Sequence, residues 1–176
     1  MQQWMNAQNQ DFWKIMTKTT PESSDPLRQE EINFGLEKRL DVSIYDKPEF
    51  GWEQMEEIRF GLEKGLDVSV YAKPEFSWSQ MNEIRLGLLR GLDVSVYAKP
   101  EFDQYQMSQI RWGLEDNLDV SIYAKSEFDD GQMYEIRLKL KKGLDVSAYI
   151  KQKDSDKDIT MRMDEYFNEY ENDSER

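Results

Sequence analysis

The motif Asp-Val-Ser-x-Tyr occurs five times in this chain, beginning at Asp41, Asp67, Asp93, Asp119 and Asp145. The step is 26 residues each time, with no insertion. Between these anchors runs Gln-Met-x-x-Ile-Arg-x-Gly-Leu, with its Met at 55, 81, 107 and 133; the last copy has Lys139 in place of the Gly. A fixed period of this size marks a repeat architecture. One supersecondary unit cannot bury its apolar face alone, so neighbours stack to build a shared core.

The third unit shows what each copy is built to do. Ser77 is a helix N-cap, and Gln80 three residues later completes a capping box. Phe76 and Met81 flank that start as a hydrophobic staple, and Phe50/Met55, Phe102/Met107 and Phe128/Met133 repeat the pair. The cap is Gly51, Asp103 or Asp129 in the other units. The helix is expected to run to about residue 90 and to stop at Gly91; Gly65, Asn117 and Gly143 hold the same place and tolerate positive φ. Asp93 then caps a second, shorter helix expected over Val94 to Ala98, which Pro100 ends.

In the second unit Trp52, Met55, Ile58 and Leu62 share roughly a 120° arc of the long helix. Phe60, Leu86, Trp112 and Leu138 form a second stripe, expected to pack between neighbouring repeats. Gly61, Gly87 and Gly113 sit in mid-helix, where Gly costs about 1 kcal/mol relative to Ala, so close helix–helix approach is the expected compensation. The fold class is therefore all-α: a short α-solenoid of about five long-helix/short-helix repeats over residues 25–151. An N-terminal capping helix and loop (1–24) and an acidic C-terminal capping helix and tail (152–176) complete the expected organisation.

Three polar ladders run through the array. Arg59, Arg85, Arg111 and Arg137 fall within the apolar arc, and a half-buried Arg needs a partner. The repeated Asp67, Asp93, Asp119 and Asp145, or the Glu of Pro-Glu-Phe, are the expected structural partners; a row of exposed, ligand-contacting arginines is the alternative. Tyr45, Tyr71, Tyr97, Tyr123 and Tyr149 read as core or inter-repeat packing, and Lys47, Lys73, Lys99, Lys125 and Lys151 as a solvated edge.

The terminal units are atypical, as array ends usually are. The first carries Asp25-Pro26 as its helix start, Gln29 for Met, Asn33 for Arg and Arg39 for the turn Gly. Trp4 and Trp13, with Met5, Phe12, Ile15 and Met16, suggest an amphipathic cap, or alternatively a dimer contact. Ile159, Met163, Tyr166 and Tyr170 suggest a closing helix. Asp154, Asp156, Asp158 and Glu165 have the spacing of a calcium loop, but Ile159 stands where that loop needs Gly. An acidic linker is the better reading, and no metal or other cofactor is expected.

Charge and missing residue types narrow the function. There are 23 basic and 36 acidic residues, a net −13, with no His and no Cys. Residues 154–176 hold nine acids and three bases, so −6 of the charge lies there and −7 in residues 1–153. Lack of His removes the commonest general base and transition-metal ligand, and lack of Cys removes thiol chemistry. An enzyme is not expected. The acidity disfavours direct nucleic-acid binding and favours a basic protein partner. No stretch reaches the roughly 18 apolar residues of a membrane span, and the first residues lack a signal-peptide pattern, so a cytoplasmic protein is expected.

The unit Gln-Met-x-Glu-Ile-Arg-x-Gly-Leu-x-x-Gly-Leu-Asp-Val-Ser-x-Tyr-Ala-Lys-Pro-Glu-Phe resembles tandem repeats of poorly characterised proteins of Gram-positive gut bacteria, often carried on phages and conjugative elements. The resemblance covers about residues 25 to 151 and brings no catalytic residues. It implies a mobile-element accessory protein acting in the host cell. By analogy it points to an antidefence role, such as an anti-CRISPR protein blocking the basic nucleic-acid channel of a CRISPR effector nuclease. Capture through Glu53, Glu57, Glu63 and Glu83 is the leading expectation. A self-associating scaffold and nucleic-acid binding through the Arg ladder are the alternatives.

Overall fold

The computed structural model describes residues 25–147 and 150. Among them are five α-helices of 12 residues each: α1 (Pro26–Glu37), α2 (Trp52–Glu63), α3 (Trp78–Leu89), α4 (Gln104–Glu115) and α5 (Asp130–Lys141). Single 3₁₀ turns alternate with them: η1 (Val42–Ile44), η2 (Val68–Val70), η3 (Val94–Val96) and η4 (Val120–Ile122). The described residues contain no strand, so the all-α expectation and its long/short alternation hold. The chain forms two compact units, Met1–Arg90 and Gly91–Arg176. In the first, α1 packs on α2 and α2 on α3; in the second, α4 packs on α5.

The helix starts follow local chemistry. Asp25 accepts from the Leu27 N–H at 3.0 Å, with Pro26 pre-set as the first helical residue. Ser77 Oγ accepts from Gln80 N–H at 3.2 Å, and Gln80 Oε1 accepts from Ser77 N–H at 2.8 Å, closing the capping box. Asp103 with Gln106 and Asp129 with Gln132 repeat it. The staple residues Phe50, Phe76, Phe102 and Phe128 and Met55, Met81, Met107 and Met133 are all buried, as are Ile58, Ile84, Ile110 and Ile136. Each of the four repeats built on α2 to α5 thus sinks one Phe, one Met and one Ile, each contributing about 1.5–3 kcal/mol.

The helix ends are Schellman motifs. Leu66 N–H reaches Gly61 C=O at 3.0 Å, and Gly65 N–H reaches Leu62 C=O at 3.0 Å. The residue after the C-cap is left-handed: Gly65 at φ +67°, Gly91 at +69°, Gly143 at +71° and Asn117 at +56°. The first repeat bears Arg39 there at φ +57°. A side chain other than Gly or Asn in this region costs roughly 1–2 kcal/mol.

Two expectations are corrected. The short helix is one 3₁₀ turn, shorter than the five-residue piece read from the sequence. Tyr71 already leaves the helical region at φ −128°, ψ −9°, and the residue before Pro74 is sterically barred from α. The second apolar stripe is not interior: Phe60, Leu86 and Leu138 are half-buried, while Phe34 is 41% and Trp112 39% exposed. The expected capping segments 1–24 and 152–176, with Trp4, Trp13, Asp154, Asp156, Asp158 and Glu165, lie outside the described residues.

Arg39→Gly is expected to raise stability by about 1 kcal/mol, and Gly65→Ala to lower it by about 1 kcal/mol, through the backbone alone. Nothing lies within 4 Å of a Cβ added at Gly65, so steric overlap makes no contribution. Denaturant melts of both variants measure this, and a neutral result for both would remove the strain argument.

Candidate interaction surface

In the repeats of α1, α2 and α4, a tyrosine locks the short turn onto its own long helix. Tyr45, Tyr71, Tyr97 and Tyr123 are fully buried. The Tyr71 hydroxyl donates to Glu57 C=O at 3.0 Å; Tyr45 reaches Glu31 C=O at 3.2 Å and Tyr123 reaches Gln109 C=O at 3.1 Å. The mid-helix glycine makes room for it. A Cβ at Gly61 would overlap the Tyr71 hydroxyl and lie 2.8 Å from Val68 Cγ1; Gly35 and Gly113 face Tyr45 and Tyr123 in the same way. The glycines therefore serve this phenol, not the helix–helix approach read from the sequence.

Between repeats, the arginines are paired inward. Arg59 Nε donates to Glu31 Oε2 at 2.7 Å, and Arg85 Nε donates to Glu57 Oε2 at 2.7 Å. Each partner stands 28 residues earlier in the chain. In the second unit Gln109 holds that place and accepts from Arg137 Nε at 3.1 Å, while Asp116 restores a carboxylate 3.6 Å from Arg137. Arg59 and Arg111 also bind Glu63 and Glu115, one helical turn on. Arg59, Arg111 and Arg137 are no more than 9% exposed.

A second stitch runs beside this one. Gln54 Oε1 accepts from Gly51 N–H at 2.7 Å, and its Nε2 donates to Phe76 C=O of the next repeat at 2.7 Å. One side chain so caps its own helix and ties it to the next. Gln106 does the same with Asp103 and Phe128, and Arg28 in the first repeat reaches Phe50 C=O instead.

The site residues read from the sequence separate accordingly. Asp67, Asp93 and Asp119 do not pair with the arginines. They are exposed caps of the 3₁₀ turns, accepting from Ser69, Ser95 and Ser121 N–H at 3.1 Å; Asp145 accepts from Ser147 N–H at 2.8 Å. Glu57 is 5% exposed and holds Arg85 and Asn82, so it is no capture residue. Glu63 is engaged by Arg59 and by Lys38 at 3.5 Å. Glu83 is half-buried and also engaged, and Glu53 is half-buried in the first turn of α2. The acids that stand free were missed: Glu30 and Glu37 on α1 are exposed and enter no ion pair among the described residues. Their spacing on the face away from Ile32 could have found them.

The outer face is an alternation of rings and guanidiniums. Arg59 lies 5.3 Å from the Phe34 ring and 4.4 Å from Phe60, and Arg85 lies 5.4 Å from Phe60. In the second unit Trp112 stands between Arg111 at 5.5 Å and Arg137 at 5.4 Å. Lys47, Lys73, Lys99 and Lys125 are exposed, as expected, and sit about 6 Å over the staple phenylalanines; Lys151 lies outside the described residues. Among the described residues no cluster of three or more Asp or Glu could hold a metal ion. No helix among them is long and apolar enough to cross a membrane.

No family model, no curated protein and no solved structure matches this chain.

Burial pushes the Tyr45 phenol up to about 12 and raises those of Tyr71 and Tyr123 as well. Unfolded tyrosine ionises near 10. The folded chain therefore binds more protons above that value, and stability must fall as pH rises from about 10 to about 12. Helicity and tyrosinate absorbance are expected to change together over that window. Ionisation of all tyrosines near pH 10 with helicity intact would contradict it. Gly61→Ala is expected to cost about 2 kcal/mol by overpacking, and less in a Tyr71→Phe background where the hydroxyl is gone. Thermal melts of the three variants would show that non-additivity.

Proposed function

We propose that this chain is a non-enzymatic acidic binding module that captures a basic protein. The observation that carries this reading is the inward pairing of the arginines. Residues 25–90 contain 14 acids and nine bases, a net of 9 − 14 = −5. The buried Arg59 and the largely buried Arg85 are spent on internal carboxylates, so Glu30, Glu37, Asp41 and Glu49 are left exposed. The same pairing removes the donors that nucleic-acid binding through the Arg ladder would need, since phosphate contacts require accessible cations.

The resemblance of the repeats to mobile-element proteins supports a host-defence protein as the partner, such as a CRISPR effector nuclease with a basic nucleic-acid channel. The site of action would then be the host cytoplasm. Capture would work by occupying that channel, with electrostatics setting the association rate.

The test is binding of the purified chain to such an effector, with and without its nucleic acid. The free effector is expected to bind, with affinity falling steeply between low and high salt, and the loaded one is not. Salt-independent affinity, or equal capture of the loaded form, would contradict the reading. In gel shift at low salt the chain is expected to leave DNA and RNA unretarded.

A further inference from the structure

Leu27, Glu30, Phe34 and Glu37 follow one another at steps of three, four and three, and so share one face of α1. The same places are Glu53, Glu56, Phe60 and Glu63 on α2, and Ser79, Asn82, Leu86 and Leu89 on α3. Since α1 packs on α2 and α2 on α3, Phe34, Phe60 and Leu86 line up across three helices. The Arg59 guanidinium lies between the Phe34 and Phe60 rings, and the Arg85 guanidinium lies against Phe60. Those guanidiniums are neutralised from beneath by Glu31 and Glu57. The row is thus an apolar floor whose guanidiniums are paired; Phe34 at its end is 41% exposed, Phe60 and Leu86 are half-buried, and Leu27 and Leu89 beside it are 43% and 48% exposed.

Along α1 and α2 carboxylates flank this floor, Glu30 and Glu56 on one side and Glu37 and the ion-paired Glu63 on the other, while α3 has Asn82 and Leu89 in those places. Burial first, then the nearby Glu31, raises the Glu56 carboxyl above the ordinary range. A cation seated beside it would relieve that. Neighbouring helices lie about 8–10 Å apart, so three span about 20 Å. A helix rising 1.5 Å per residue covers that with about 13 residues.

We infer that the row Phe34–Phe60–Leu86 is a docking groove for an amphipathic helix whose apolar stripe is flanked by lysines or arginines. The inference rests on the proposed capture of a basic protein and names the element of that partner which is held. Apolar residues at i, i+3 or i+4, and i+7 would seat against the row. Their basic neighbours would reach Glu30 and Glu37. Nucleic acid and anionic lipid do not fit, because both would meet the acidic rim.

The probe is a fluorescent Leu/Lys amphipathic peptide of about 18 residues, long enough to cross the row. A Leu/Glu peptide of the same pattern is the control, and both are titrated against the full chain by anisotropy. Saturable binding of the Leu/Lys peptide alone is expected. It should weaken about tenfold or more in Phe34→Asp and in Glu30→Lys/Glu37→Lys, with unchanged thermal melts. No saturable binding, or binding indifferent to both variants, would overturn the inference. So would tighter binding by Trp4→Ala/Trp13→Ala, which would show the chain's own N-terminal segment seated there. Dissociation of a homodimer by the peptide in light scattering would do the same, by giving the row to a second copy. If Phe34→Asp leaves salt-sensitive effector capture intact, the groove fails and the binding function stands. If the unmodified chain captures no effector, the function itself fails.

Discussion

Buried ion pairs between consecutive repeats decide what this protein shows to solvent. Taking a guanidinium and a carboxylate out of water is costly, and an unpaired buried charge costs more still. Arg85 has therefore to meet Glu57, and Arg59 has to meet Glu31. Once they do, the neighbouring long helices can differ little in register, and the rings of Phe34 and Phe60 are brought against the guanidinium faces. The pairing also sorts the acids into an inner set that holds the array together and an outer set with no internal partner. The variation in the second unit follows the same constraint. Where Gln109 replaces the inner acid, Asp116 supplies the missing charge to Arg137.

The tyrosine lock works within the repeat, as the ion pair works between repeats. Because the hydroxyl of Tyr71 sits where the Cβ of residue 61 would be, glycine's low helix propensity is the cost of binding the 3₁₀ turn to the helix. The Asp cap at Asp67 starts the turn, Tyr71 closes it and Gly65 links it to the helix. These three contacts fix the path of the chain from one long helix to the next. The Gln54 amide then ties that path to the following helix start.

Features that act over a few residues could be read from the sequence. Ser77 with Gln80, Phe76 with Met81 and the left-handed Gly91 were identifiable because caps, staples and C-terminal turns are local. The partners of the arginines were not. They lie 28 residues away, two more than the repeat period, and the acid series at that place is interrupted by Gln109. Asp67, Asp93 and Asp119 are the perfectly periodic acids, but backbone N–H groups claim them. Glu57 showed the same limit, since helical spacing says which face a residue is on but not whether a neighbouring helix covers it. The spacing of Gly61 to Tyr71 has meaning only after the chain has turned, so the sequence alone does not show that the glycine makes room for the phenol.

On this account the exposed aromatic and acidic face is a by-product of inward pairing that a partner can use. Everything then turns on whether the Glu57–Arg85 contact is a true inter-repeat coupling. A double-mutant cycle on thermal stability, with Glu57→Ala, Arg85→Ala and both together, measures it directly. The pair is 7% and 14% exposed, so screening is limited, and a coupling of about 2 kcal/mol is predicted. Strictly additive single and double variants would contradict the account, because the arginines would then be free to serve the surface.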